Sequence, residues 1–131
     1  MNIALWILQI FLVVYFFFVG VSHLIVPPGL PAMMSWMYEL SPTLHTVSGI
    51  AEILGGLGLI LPSVTKIQPR LTSLAGAGLV LVMLGALTWH LQRGEPQNMF
   101  FNVFLALLVG FVAYGRWKLA PIGERRAATA S

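Results

Sequence analysis

Four apolar runs, each of about 20 residues, limit what this chain can become more than any other feature. They fall at roughly 3–25, 44–62, 71–91 and 98–116. A helix that crosses the hydrocarbon core of a bilayer needs about that length. Each run stops at proline or charge: Pro27, Pro28 and Pro31 after the first, Pro62 after the second, Arg93-Gly94-Glu95-Pro96 after the third, and Arg116, Lys118 and Pro121 after the fourth. Proline lacks the N–H and crowds the preceding turn, so it reads as a helix stop. Ser41-Pro42 reads as the start of the second helix. Only 8% of the residues are charged and 58% are hydrophobic, whereas a soluble domain carries about 25% charged residues. Lipid must therefore be the solvent for most of the surface.

Inside a bilayer the backbone has no water to bond, so isolated runs must be helical. They lack the period-2 alternation of barrel strands and are about twice as long. The fold expected is all-α: an integral membrane four-helix bundle over residues 1–120, followed by a flexible cytoplasmic tail, 121–131. The first run has no basic segment before it and no small-residue cleavage site after it, so it is expected to be a retained helix rather than a signal peptide. The chain has no cysteine, which removes disulfides and cysteine-ligated metals.

Six of the seven Lys and Arg residues fall on one side of this topology: Lys66, Arg70, Arg116, Lys118, Arg125 and Arg126. That side is read as cytoplasmic, with both termini inside and loops 26–43 and 92–97 outside. Basic residues in such places are topology signals, so no nucleic-acid partner is expected. The first outer loop, with Met33-Met34-Ser35-Trp36-Met37-Tyr38-Glu39-Leu40, is apolar but too short to span. A short interfacial or re-entrant helix fits it, with Trp36 and Tyr38 at headgroup depth. Its methionines serve either as adaptable packing or as soft copper ligands.

Small residues mark the packing faces: Gly49, Gly55, Gly56 and Gly58 in the second helix, Gly76, Gly78, Gly85 and Ala86 in the third, Ala106 and Gly110 in the fourth. Close backbone approach replaces the missing hydrophobic drive between helices in lipid. Glu52 lies among the glycines of the second helix, about 12 Å deep at 1.5 Å per residue. An ionisable group there costs roughly 2.5–3.5 kcal/mol to insert and should face a partner inside the bundle. His23, His90 and Asn102 belong to the same outer half, while Trp36, Glu39, His45 and Arg93 would form the rim. The inner half reads as almost free of intramembrane polar groups. Three readings stay open: an interhelical hydrogen bond that only fixes packing, an outward-opening binding pocket, and a two-histidine, one-carboxylate metal site of His23, His90 and Glu52. No metal is assigned.

The stretches Phe18-Val-Gly-Val-Ser-His23, Ser48-Gly-Ile-Ala-Glu52-Ile-Leu-Gly-Gly-Leu-Gly-Leu, Ala75-Gly-Ala-Gly-Leu with Met83-Leu-Gly-Ala and His90, and Val112-Ala-Tyr-Gly-Arg116 resemble the DoxX-like family of small four-helix membrane proteins. Residues 10–118 carry the resemblance. It implies association with a membrane oxidoreductase system, one relative being a subunit of a thiosulfate:quinone oxidoreductase. It also gives His23, Glu52 and His90 whatever role is carried over. The expected function is that of a small bacterial inner-membrane subunit with an outward-facing pocket for a quinone or other lipophilic molecule. His23, Glu52, His90 and Asn102 would bind ligand or relay protons there. The partners expected are the lipid bilayer, a redox protein and a second copy of the chain. The alternatives are a lipophilic-solute binding or transport protein without redox chemistry, and a structural scaffold subunit; no catalytic residue is assigned.

Overall fold

The structure, a computed structural model, describes residues 1–123, with only the backbone described at Met33. The expected tail with Arg125 and Arg126 lies outside the described residues from 124 onward. Four helices run Asn2–Ile25 (α1), Pro42–Thr65 (α2), Leu71–Arg93 (α3) and Pro96–Tyr114 (α4), and no strand occurs among the described residues. All four are long and apolar enough to cross a membrane. A 3-10 segment, Ala32–Glu39, lies in the loop after α1, and a π-helical turn, Gly115–Leu119, extends α4.

The surface is apolar where that of a soluble protein is polar, and several polar groups are buried. Ile3, Ile7, Val14, Leu54, Leu81, Phe100 and Leu107 face outward, while Gln9, His23, Glu52, Thr72, His90 and Arg116 are buried. An apolar surface of this extent has no soluble solution; the chain is an integral membrane protein. Successive helices pack on each other, α1 on α2, α2 on α3 and α3 on α4, with a thinner contact closing α4 onto α1. The core between them is Leu5, Leu12, Phe16, Leu59, Leu79, Met83, Leu105, Val109 and Val112.

The ends follow local chemistry. Val26 caps α1 before the prolines, its N–H bonding the Ser22 carbonyl. Ser41 accepts from the Leu44 N–H and Pro42 takes the first helical position, where its missing N–H costs nothing. Gly94 ends α3 with φ +67, a left-handed turn that suits glycine. Pro62 departs from expectation: α2 runs through it to Thr65. Helices in lipid tolerate proline better than soluble ones do, and in the same turn Gln9 Nε2 of α1 donates to the Leu59 carbonyl and Ser63 Oγ, at 2.6 and 3.2 Å.

A second correction concerns the half of the bundle away from the histidines, which is polar rather than featureless. Arg116, read as a tail charge, is swung inward by the π-turn. Its Nε donates to Gln9 Oε1 at 2.7 Å, and its Nη1 donates to Asn2 Oδ1 at 2.6 Å and the Ala120 carbonyl at 2.9 Å. Ser63 and Thr72 share a hydrogen bond between α2 and α3, and Ser73 Oγ donates to the Ala113 carbonyl of α4. This arginine end is a four-helix lock; the opposite, histidine end holds the cavity.

Candidate functional site

The histidine end is built from the 3-10 segment and the ends of all four helices. His23 comes from the last turn of α1, His45 from the first turn of α2, Glu52 from two turns deeper, and His90 from the last turn of α3. His45 Nε2 lies 2.7 Å from the Met37 carbonyl and His23 Nδ1 lies 3.0 Å from His45 Nδ1. A carbonyl only accepts, so Nε2 of His45 carries the proton. With neutral rings, His45 Nδ1 accepts and His23 Nδ1 donates. The polarity of the chain is thereby fixed from the Met37 carbonyl inward, and the lone pair of His23 Nε2 is turned to Glu52. Glu52 Oε2 is 3.6 Å from His23 Nε2, beyond hydrogen-bond distance, and this buried oxygen has no hydrogen-bond partner.

These two unmatched atoms border a cavity of about 530 Å³ whose lining is mostly apolar, including Phe18, Val19, Val82, Met83 and Ala86. That volume is within the range of small-molecule pockets. Trp36 of the 3-10 segment lies over it, 5.8 Å from the His23 ring and 4.9 Å edge-on from the His90 ring. The segment is fastened at several points. Tyr38 donates to the Pro27 carbonyl and accepts from the Leu30 N–H, Met37 accepts from His45, and Glu39 pairs with Arg93. Arg93 also donates to Glu95 and stacks on Trp89, while His90 Nδ1 lies 3.1 Å from the same Glu95 oxygen. Partial burial pushes the Glu95 carboxyl up, but the hydrogen bonds from His90 and Arg93 outweigh it and hold the group below the usual carboxylate range.

The structure brings His23, Glu52, His90, Asn102 and Trp36 around one cavity. Asn102 is held by donating to the Asn98 carbonyl. His45, placed at the rim from sequence, is instead buried inside the chain of hydrogen bonds. Glu39 and Arg93 form a clasp outside the cavity. Among the described residues no group of three or more His, Asp or Glu side chains is arranged to hold a metal ion. Met37 is fully buried packing and Met34 lines the cavity. Sequence reasoning passed over Tyr15, Trp89 and Ser48, which also line it. Tyr15 sits on the α1/α4 side, its ring edge-on to Phe101 at 5.6 Å; the signal available was a lone hydroxyl-bearing aromatic two turns before His23.

The sequence profile of the DoxX-like family matches residues 7–125, which is most of the chain. The chain belongs to the DoxX-like family. No curated protein and no solved structure matches it. The matched span of this DoxX-like chain contains His23, Glu52 and His90, and the whole cavity lies within it.

Proposed function

We propose that this DoxX-like protein is a small membrane subunit associated with a quinone-linked oxidoreductase system, its cavity taking a quinone or another lipophilic molecule. The observation that carries this reading is the unpartnered carboxyl oxygen of Glu52 beside an apolar cavity. A buried polar atom without a hydrogen bond costs roughly 1–3 kcal/mol in protein settings. A hydroxyl that donates to Glu52, which the reduced quinol form carries and the oxidised quinone does not, removes that cost, and an apolar body fills the rest. In this role Glu52 accepts or relays the proton of the ligand hydroxyl. His23 or His90 hydrogen-bonds the ligand, Asn102 borders it, and electrons come from a partner protein. Residues 1–120 act as one transmembrane domain in a bacterial inner membrane. The arginine end, with Lys66, Arg70 and Lys118, faces the cytoplasm with both termini. The segment Ala32–Glu39 lies at the outer interface as a lid, and the DoxX-like chain works beside a redox partner or a second copy.

The largely apolar lining also favours a second reading, a binding or transport protein for a lipophilic solute without redox chemistry. Gentle purification followed by mass spectrometry of co-purifying quinones and lipids, on the parent and on Glu52→Gln, separates the readings. A quinone retained by the parent and lost from a folded Glu52→Gln variant supports the first. A non-redox lipid with the same dependence supports the second. If nothing co-purifies and Glu52→Gln changes no cellular phenotype, the polar residues only fix packing.

A further inference from the structure

The route into the cavity is written in how α2 and α3 pack. The stripe of α2 that faces α3 runs Leu44, Ser48, Ala51, Gly55, Gly58, and the facing stripe of α3 runs Ala75, Leu79, Val82, Ala86, Trp89. Both step by four and three residues, the spacing of one helix face. Toward the arginine end the two stripes touch. A Cβ on Gly58 would stand 2.6 Å from the Ala75 Cβ, and one on Gly55 would stand 2.6 Å from Leu79 Cγ. Toward the histidine end the same stripes no longer meet, and Ala51, Ser48 and Leu44 line the cavity from one side while Val82, Ala86 and Trp89 line it from the other. The two helices part there.

The parted seam has a lipid-facing edge. Val47 and Gly85 both line the cavity, yet Val47 is 61% exposed on the outer surface and Gly85 is exposed as well. A Cβ built on Gly85 would meet nothing within 4 Å. The thinner seam between α1 and α4 also has exposed lining residues, Phe18 and Phe101, but there the rings of Tyr15 and Phe101 meet edge-on across the gap and fill it, whereas Val47 and Gly85 present no such pair. The head of the cavity is bordered by Trp36, whose 3-10 segment is tied to the end of α3 by the Glu39–Arg93 pair.

We propose that the cavity is loaded sideways from the bilayer, through the seam between the histidine-end halves of α2 and α3, by a single-tailed amphiphile with a hydroxyl head group. The head reaches Glu52 and His23, where two acceptor atoms lack a donor, and the tail lies in the seam past Val47 and Gly85. Glu52 is only 4% exposed and its Oε2 is unpartnered, so the cavity offers one polar seat and an otherwise apolar path, which suits one head and one chain. This rests on reading the cavity as a ligand site, and it adds the class of head group, the number of tails and the direction of approach.

The test uses the full chain carrying Trp6→Phe and Trp117→Phe, so that Trp36 and Trp89, both at the cavity, report alone. The protein is reconstituted in phosphatidylcholine vesicles and mixed rapidly with vesicles containing brominated stearyl alcohol, whose bromines quench tryptophan on contact. The parent is expected to show saturable quenching above the linear background of ordinary lipid contact. Gly85→Leu and Val47→Phe, set on the two rims, are expected to slow the saturable phase about tenfold or more, and Leu81→Phe on the lipid-facing surface of α3 leaves its rate unchanged. Gly85 has empty space beside it and Val47 faces outward, so both variants keep the fold, checked by an unchanged thermal unfolding midpoint. If both rim variants load at the parent rate while saturation persists, the seam is not the route, and the ligand-site reading survives. If the parent shows no saturable phase, the single-tailed hydroxyl occupant proposed here is wrong, while a quinone or lipid that co-purifies with the parent and is lost from Glu52→Gln still upholds the ligand site. If brominated phosphatidylcholine gives the same saturable phase, the occupant is a two-chain lipid and the single-tailed class is wrong.

Discussion

His45→Phe tests the hydrogen-bonded chain that orients the whole histidine end. The ring of His45 occupies the middle of that chain, with 2.7 Å to the Met37 carbonyl on one side and 3.0 Å to His23 Nδ1 on the other. Phenylalanine keeps a planar ring of similar size and removes both bonds. Interhelical hydrogen bonds in membrane proteins average about 0.6 kcal/mol and reach about 1.7. Losing two of them, with the Met37 carbonyl and the His23 N–H left behind, is expected to destabilise the fold by about 1–3 kcal/mol. Reversible unfolding in mixed detergent micelles measures this. Nitrogen-15 NMR of labelled histidines supplies a second readout that packing alone does not move. In the parent, neutral His23 carries its proton on Nδ1 and neutral His45 on Nε2; in His45→Phe, His23 loses its acceptor and populates both tautomers. A parent His23 protonated on Nε2, or a variant whose stability lies within about 0.3 kcal/mol of the parent with unchanged nitrogen shifts, refutes the fixed polarity.

Three further expectations follow from other parts of the molecule. Arg116→Met removes three short hydrogen bonds at the arginine end and leaves Gln9 Oε1 and Asn2 Oδ1 without their donor. It should cost about 2 kcal/mol or more in the same unfolding assay, and Arg116→Lys should not restore it, because a point ammonium cannot reproduce the guanidinium fork. Gly58→Ala places a methyl 2.6 Å from the Ala75 Cβ whereas Gly78→Ala meets nothing within 4 Å, so the first should destabilise by about 1–3 kcal/mol and the second should be neutral or stabilising. The clasp over the cavity should loosen in acid. The Glu95 carboxyl is held below its ordinary value of 4.5 in the fold, so its stabilising contribution is complete above that value and disappears as the pH falls through the lowered one. Trp36 and Trp89 fluorescence should change over that window, and Glu95→Gln should reduce the change to the part that the Glu39–Arg93 pair contributes.

The helices were readable because lipid imposes one rule on every backbone group, and that rule acts on runs long enough to be seen in the sequence. The failures have the opposite character. Pro62 reads as a stop by the soluble-protein rule, yet α2 continues through it to Thr65, and the bonds Gln9 makes to that turn come from another helix. Arg116 looked like a topology charge because nothing in sequence announces a π-turn, yet that turn is what carries its guanidinium to α1. Ser63, Thr72 and Ser73 sat unnoticed in apolar runs, since small hydroxyls read as filler until their partners on other helices are known. Depth and topology grouped Glu52 with His23, His90 and Asn102 in one half of the bundle, but the insertion of His45 beside His23 depends on the path of the loop that brings the Met37 carbonyl back. Gly78 and Gly85 were counted among packing glycines and pack against nothing.

The parting of α2 and α3 is confined to the depth between Glu52 and the histidine end, which is the depth of a single leaflet. A molecule that arrives through that seam is drawn from one monolayer, and the composition of the other is invisible to it. Occupancy then follows the mole fraction of the ligand within a two-dimensional reservoir rather than its solubility in water. A compound too insoluble to titrate from solution can saturate such a site at modest abundance in the correct monolayer, and the flip rate of that compound between monolayers becomes part of how quickly the protein responds.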